Sequence, residues 1–243
     1  MRKPLRVVVF SAVSIVSTTG CIGVSAKHVG ANGPGTAEIL RCRATRPAVD
    51  GLIDDYEDGN NQLASMGGRD GYWFSAKDEK GSTIDMRMEE PGAGGSEMAL
   101  HVSGTTVPGT AEAGQWGSQV GVNFLSKTGG LYNGSKYAGI SFKAKTGPGS
   151  ARSVRFKIGD VNTHPDGGIC KTCWNHFGQD LSLTPEWKPY TVLFTGARQE
   201  EGWGAPRPTA LSPDKLITIN WTIGPGQTYD MWFDDVTFLE CAD

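Results

Sequence analysis

Ile217-Thr218-Ile219-Asn220-Trp221-Thr222-Ile223 decides the fold: apolar and polar residues alternate strictly, which puts Ile217, Ile219, Trp221 and Ile223 on one face of a half-buried β-strand. The same period of two recurs at Met98, Leu100 and Val102, at Ile140, Phe142 and Ala144, at Val154, Phe156 and Ile158, and at Tyr190, Val192 and Phe194. Gly-, Pro- and Asn-rich turns separate these runs, and few windows show a helical period. Glycine is abundant, at 34 of 243 residues, and charges form no long runs. About eight to eleven strands of this kind must bury their apolar faces against one another. The expected fold is therefore all-β, an antiparallel two-sheet β-sandwich of the jelly-roll type.

The start of the chain addresses the protein. Arg2, Lys3 and Arg6 form a basic segment, and Val7 to Val16 an apolar one too short to span a bilayer. Residues 1–20 read as a lipoprotein-type signal peptide, because Thr18-Thr19-Gly20-Cys21 places a small residue before a cysteine that would be lipidated. Cleavage after Val24-Ser25-Ala26, giving a secreted protein, is the competing reading. In the lipoprotein reading, 21–41 is the lipidated cysteine and a flexible tether, and 42–243 is the jelly-roll domain. The expected location is the cell envelope, at the outer membrane if the host has one, with the lipid anchor in that membrane.

Beyond the leader remain Cys42, Cys170, Cys173 and Cys241, an even set for an oxidising compartment. A Cys42–Cys241 bridge would tie the two ends of the domain together and make its first and last strands neighbours. A net charge of −3 with mixed signs argues against a grip on nucleic acid.

The segment 160–180 is the densest in chemistry. His164, Cys170, Cys173 and His176 could close a tetrahedral zinc site, but export favours a Cys170–Cys173 disulfide and argues against zinc. A redox role has less support, because such a motif opens a helix after a strand in an α/β fold. Neither a Gly-x-Ser-x-Gly elbow nor a His-Glu-x-x-His motif is present, and no spacing singles out a pair among Asp160, Asp180, Glu200 and Glu201, so an enzyme is not expected.

Leu52-Ile53-Asp54-Asp55-Tyr56-Glu57-Asp58-Gly59, the segment 160–180, Trp187-Lys188-Pro189-Tyr190-Thr191-Val192, Gly202-Trp203-Gly204 and Tyr229-Asp230-Met231-Trp232-Phe233-Asp234-Asp235-Val236 together resemble the galactose-binding-like jelly rolls that include family-eleven carbohydrate-binding modules. The resemblance implies a structural calcium near the paired ends, at Glu57 and Asp234 with Asp58 and Asp235 as substitutes. Clustered carboxylates would also favour such a cation on their own account.

A saccharide needs flat aromatic platforms flanked by polar groups. Tyr72, Trp73, Trp116, Trp174 and Trp203 are the candidate platforms, with Asp160, Asn162, His176 and Arg207 as polar partners. Trp187, Trp221 and Trp232 lie in strand patterns and are expected in the core. The expected function is an exported, lipid-anchored protein that binds carbohydrate noncatalytically. The alternatives are an envelope assembly protein that contacts a protein partner and a weak glycan-active enzyme.

Overall fold

The computed structural model describes residues 37–242. The signal segment, Cys21 and most of the tether lie outside the described residues. Residues 37–41, assigned above to the tether, already contact the domain: Ile39 packs against the core and the Ala37 amide donates to Asp214 Oδ1 at 3.3 Å. Among the described residues no helix is long and apolar enough to cross a membrane.

Eleven strands form two antiparallel sheets. One holds β3 (Asp85–Glu89), β4 (Ala99–Thr105), β11 (Thr228–Cys241), β6 (Gly139–Thr146) and β9 (Lys188–Leu193), in that order. β1 (Thr45–Asp54) completes it by pairing with the second half of β11, from Thr45 opposite Cys241 to Asp54 opposite Val236. The other sheet runs β2 (Trp73–Lys77), β5 (Ser118–Asn123), β10 (Leu216–Ile223), β7 (Ser153–Asp160) and β8 (Phe177–Ser182). First and last strands are therefore neighbours, and the Cys42–Cys241 disulfide closes their ends. The second disulfide, Cys170–Cys173, also forms. Both bridges suit an oxidising, extracytoplasmic compartment.

The inward alternates make one aromatic core. Trp221 of β10 stacks on Phe233 of β11 at 4.2 Å, meets Trp73 at 5.6 Å and takes the ring of Phe142 edge-on at 5.1 Å. Phe142, Val154, Phe156, Ile158, Val192 and Phe194 lie where the period of two puts them. The period fails at one point: Leu216 enters the core, whereas Ile217 falls outside the core cluster and lines a surface pocket with Leu131 and Val161. The register between β10 and β7 shifts at Leu216/Thr218, and one extra residue moves the preceding side chain to the other face.

Two of the tryptophans expected in the core are not there. Trp187 and Trp232 lie half-buried, outside the core cluster. Trp232 is stacked on His101 at 4.0 Å, and the Lys145 ammonium lies 4.7 Å from its ring and 5.0 Å from that of Trp187. Each indole thus buries one part and leaves another against polar neighbours, which a strand on a half-solvated sheet permits.

Asp54, at the end of β1, is a buried acid between the sheets. Its carboxylate accepts the Tyr56 amide at 3.0 Å and Trp73 Nε1 at 2.6 Å, and burial pushes its pKa up to about 7 from the ordinary 3.8. The folded state thus holds a proton that the unfolded chain releases at lower pH, so this group's stabilisation is complete below the unfolded value and is lost as pH rises through the folded one. Asp54→Asn removes that loss. Its stability relative to wild type rises between pH 3.8 and about 7 and then levels off, as read by urea melts across that range.

Candidate functional site

The outward alternates of the five-stranded sheet form the floor of a cleft of about 840 Å³. Strand register places Ala76, Gln119, Thr222, Arg155 and Asp180 in one row across all five strands. The next row is Phe74, Gly121, Asn220, Lys157 and Gly178. Walls rise at opposite ends of the strands: Gly109 to Ala111, Trp116 and Gly224 to Gln227 on one side, Cys173, Trp174, Glu200 and Trp203 on the other.

The second wall is built by its loops. The Cys170–Cys173 disulfide closes a tight turn directly before Trp174, whose φ of 76° is a left-handed conformation unusual for a large side chain. The Trp174 amide donates to Thr163 O at 2.9 Å, which holds that turn in place. Asn175, buried, ties this loop to the next: Nδ2 donates to Glu200 O at 3.0 Å and Trp203 O at 2.6 Å, and Oδ1 accepts the Glu200 amide at 2.9 Å. Trp174 and Trp203 are left 50% and 38% exposed, the kind of apolar surface that a ligand covers.

Four of the expected ligand residues, Trp116, Trp174, His176 and Trp203, come together in the cleft. Arg207 braces the wall from behind by donating to Glu200 O at 2.8 Å, and it does not line the cleft. Tyr72 does not line it either, and the Lys127 ammonium lies 4.9 Å from its ring.

Three expectations are corrected. Trp73 is 2% exposed and belongs to the core, because the turn before β2 leaves it on the inward face. Asp160 is fully buried, and its carboxylate accepts from the Asn162 amide, Asn162 Nδ2, Thr163 Oγ1 and the Ser212 amide at 2.9–3.3 Å. Asn162, which also donates to Ser212 Oγ at 3.0 Å, is spent in the same knot. These two residues clamp the end of β7 to the 212 turn instead of facing a ligand.

The ligands expected of a metal centre are also distributed differently. Cys170 and Cys173 are bonded to each other and offer no thiolate, and among the described residues no group of three or more His, Cys, Asp or Glu converges as a metal site. Glu57 accepts Ser96 Oγ and the Glu97 and Met98 amides, while buried Asp234 accepts the Ala93 amide at 2.7 Å, so both carboxylates close on one loop. Asp58 instead accepts the Asn60 amide at 3.1 Å, and Asp235 pairs with Lys143 at 2.5 Å.

Lys157, Arg155, Gln119 and Asn175 were not foreseen, and Asp180 and Glu200 were weighed only as catalytic carboxylates. Lys157 is buried and burial lowers its pKa; Glu200 Oε2 stands 3.8 Å from its ammonium. Arg155 bridges Asp180 at 2.9 Å and donates to Arg198 O at 2.6 Å. A lysine between Phe156 and Ile158 was the signal in the sequence, but only strand order shows that its face is roofed by loops.

The two-sheet jelly roll has the fold of solved carbohydrate-binding modules. A family-eleven module of the cellulosomal cellulase Lic26A-Cel5E of Clostridium thermocellum superposes with a TM-score of 0.52 at 18% identity, over 79% of this chain and 95% of that one. A Clostridium thermocellum family-eleven module in complex with a β-1,3-1,4-mixed-linked tetrasaccharide gives 0.52 and 18% over 80% and 98%. The solution structure of the module named CtCBM11 gives 0.53 and 17% over 81% and 99%. At this identity the likeness is one of fold. No family model matches the sequence, and no curated protein matches it.

The Asp160 knot has a direct test. Asp160→Ala strands four donors in a buried site, so it destabilises the domain by about 2–4 kcal/mol, measured by denaturant unfolding. A variant of unchanged stability that only loses ligand would return Asp160 to the binding surface.

Proposed function

We propose that the protein is a noncatalytic carbohydrate-binding protein whose ligand lies in the cleft over the five-stranded sheet. The observation that carries this is the opposition of Trp116 on one wall to half-exposed Trp174 and Trp203 on the other, above a floor of amide, hydroxyl and charged side chains. Sugar rings present an apolar face to an indole and a rim of hydroxyls to such a floor. The mixed-linked tetrasaccharide held by the Clostridium thermocellum module of the same fold supports the ligand class. Export and a lipid anchor at Cys21 remain part of this reading, supported by the basic and apolar leader and by the disulfides.

The carboxylates in the cleft do not favour catalysis. Asp180 is paired with Arg155 and Glu200 faces Lys157, so each has a cation as its neighbour. A general acid for glycoside cleavage needs the reverse, an environment that favours its protonated form.

A glycan array followed by calorimetric titration tests the reading. Trp203→Ala and Trp116→Ala each weaken the best ligand by roughly tenfold or more, because an aromatic contact of this kind contributes about 1–2 kcal/mol, while the melting temperature stays within a few degrees. Absence of any glycan ligand, together with co-purification of an envelope protein, would favour the assembly reading.

We also propose a structural calcium between the paired ends and the 93–98 loop. Glu57 and Asp234 fit it, since both reach the same loop and Asp234 is a buried acid in need of a counter-charge. Asp235 already has Lys143 as its counter-charge, and exposed Asp58 accepts from its own turn instead of from that loop. Bound calcium would neutralise these carboxylates and pin the loop. A chelator then lowers the melting temperature by about 4 °C or more, and an unchanged midpoint overturns the assignment.

A further inference from the structure

The cleft floor holds His176, 1% exposed, whose Nε2 is buried without a hydrogen-bond partner. Beside it Lys157 is 8% exposed and faces Glu200 Oε2 at 3.8 Å, beyond hydrogen-bond distance. A buried acceptor left unpaired is costly, so a site that sets one beside an ammonium suits something that supplies a donor and an acceptor together.

The tautomer of His176 follows from its neighbours. The Asp160 carboxylate only accepts, and four donors surround it. The Thr163 hydroxyl therefore spends its one proton on Asp160 Oδ1, at 2.9 Å. Its oxygen is left to accept from His176 Nδ1, also at 2.9 Å. Nδ1 thus carries the ring proton and Nε2 is a bare acceptor. The ring's place is set as well: it lies over Gly159, where an added Cβ would come within 2.9 Å of Cε1. Lys157 and Gly159 are two residues apart on one face of β7, so the ammonium and the imidazole are neighbours in the floor. The half-exposed Trp174 ring packs edge-on to the imidazole at 5.9 Å, and the His164 ring stacks on it at 5.7 Å. Nε2 is closed to solvent, so a ligand reaches it only with a side-chain shift at this wall.

We propose that Lys157 and His176 read a vicinal diol of a sugar, one hydroxyl donating to His176 Nε2 while its neighbour accepts from Lys157 Nζ. The inference rests on the reading of the cleft as a saccharide site. A hydroxyl pair both donates and accepts, which matches one bare acceptor beside one donor.

Three measurements on the intact domain test this. Oligosaccharides that bind on an array are compared by titration with their 2-deoxy and 3-deoxy counterparts, each of which breaks the diol; at least one of these is expected to bind roughly tenfold more weakly. His176→Phe, which keeps the ring volume, and Lys157→Met are each expected to lose about tenfold in affinity, with Thr163→Val losing less. Long-range ¹⁵N spectra of the wild type, which need no variant to fold, are expected to show His176 protonated at Nδ1 and a shift of Nε2 on adding such an oligosaccharide.

Equal binding of the deoxy forms, an Nε2–H tautomer, or unchanged affinity in folded His176→Phe overturns the inference while leaving the cleft a sugar site. If no glycan binds the wild type, the saccharide reading itself fails, and this inference with it.

Discussion

The contact of Trp221 with Phe233, at 4.2 Å across the gap between the sheets, is the constraint on which the rest of the molecule depends. Trp221 sits on the central strand of the five-stranded sheet, and Phe233 on the strand that β1, β4 and β6 all join. Trp73, Phe142 and Phe156 pack around the same indole, so the core fixes the spacing and relative rotation of both sheets at once. Once β10 is held by its inward residues, its outward ones, Asn220 and Thr222, have only one place to go. Thr222 becomes part of the cleft floor and Asn220 lies buried in the next row, with Arg155 and Lys157 beside them from β7 by register.

The acids divide according to what surrounds them. Asp54 accepts from Tyr56 and from the indole of Trp73, a hydrogen bond that passes between the sheets. Asp160 gathers the donors of the 162–163 turn and of Ser212, and through Thr163 it orients His176. Asp180 and Glu200 remain at the cleft with cations beside them. A carboxylate surrounded by backbone donors organises chain, whereas one that faces a cation across a cleft is left available to solvent or ligand. That distinction explains why Asp160 was a misleading candidate and why its effect on the site is indirect.

The fold was largely legible. Alternation at Ile140 to Ala144, at Val154 to Ile158 and at Ile219 to Ile223 is local information, and burial follows it. It failed where a register shift intervened, at Leu216 and Ile217, since a bulge has no signature in an apolar run. It failed also for Trp232, because an aromatic in a strand can belong to either face, and for Trp187, which lies just before β9 and not in a strand. The site was half legible: exposed loop tryptophans announced themselves, but Trp73 looked like one of them until the turn before β2 put it inward. Asn175, which staples the two wall loops, is an unremarkable residue in sequence.

By itself the sequence determined the all-β class, the compartment implied by its cysteines, the tie between its first and last strands and the loop aromatics available to a ligand. These follow from side-chain period and residue chemistry, which act over a few positions. Only the tertiary structure decided which outward residues share a face, which acids are consumed by backbone donors, and that Lys157 meets the unpartnered Nε2 of His176 in one floor. Those are properties of strand order and register, set by contacts between residues far apart in the chain, and no local pattern encodes them.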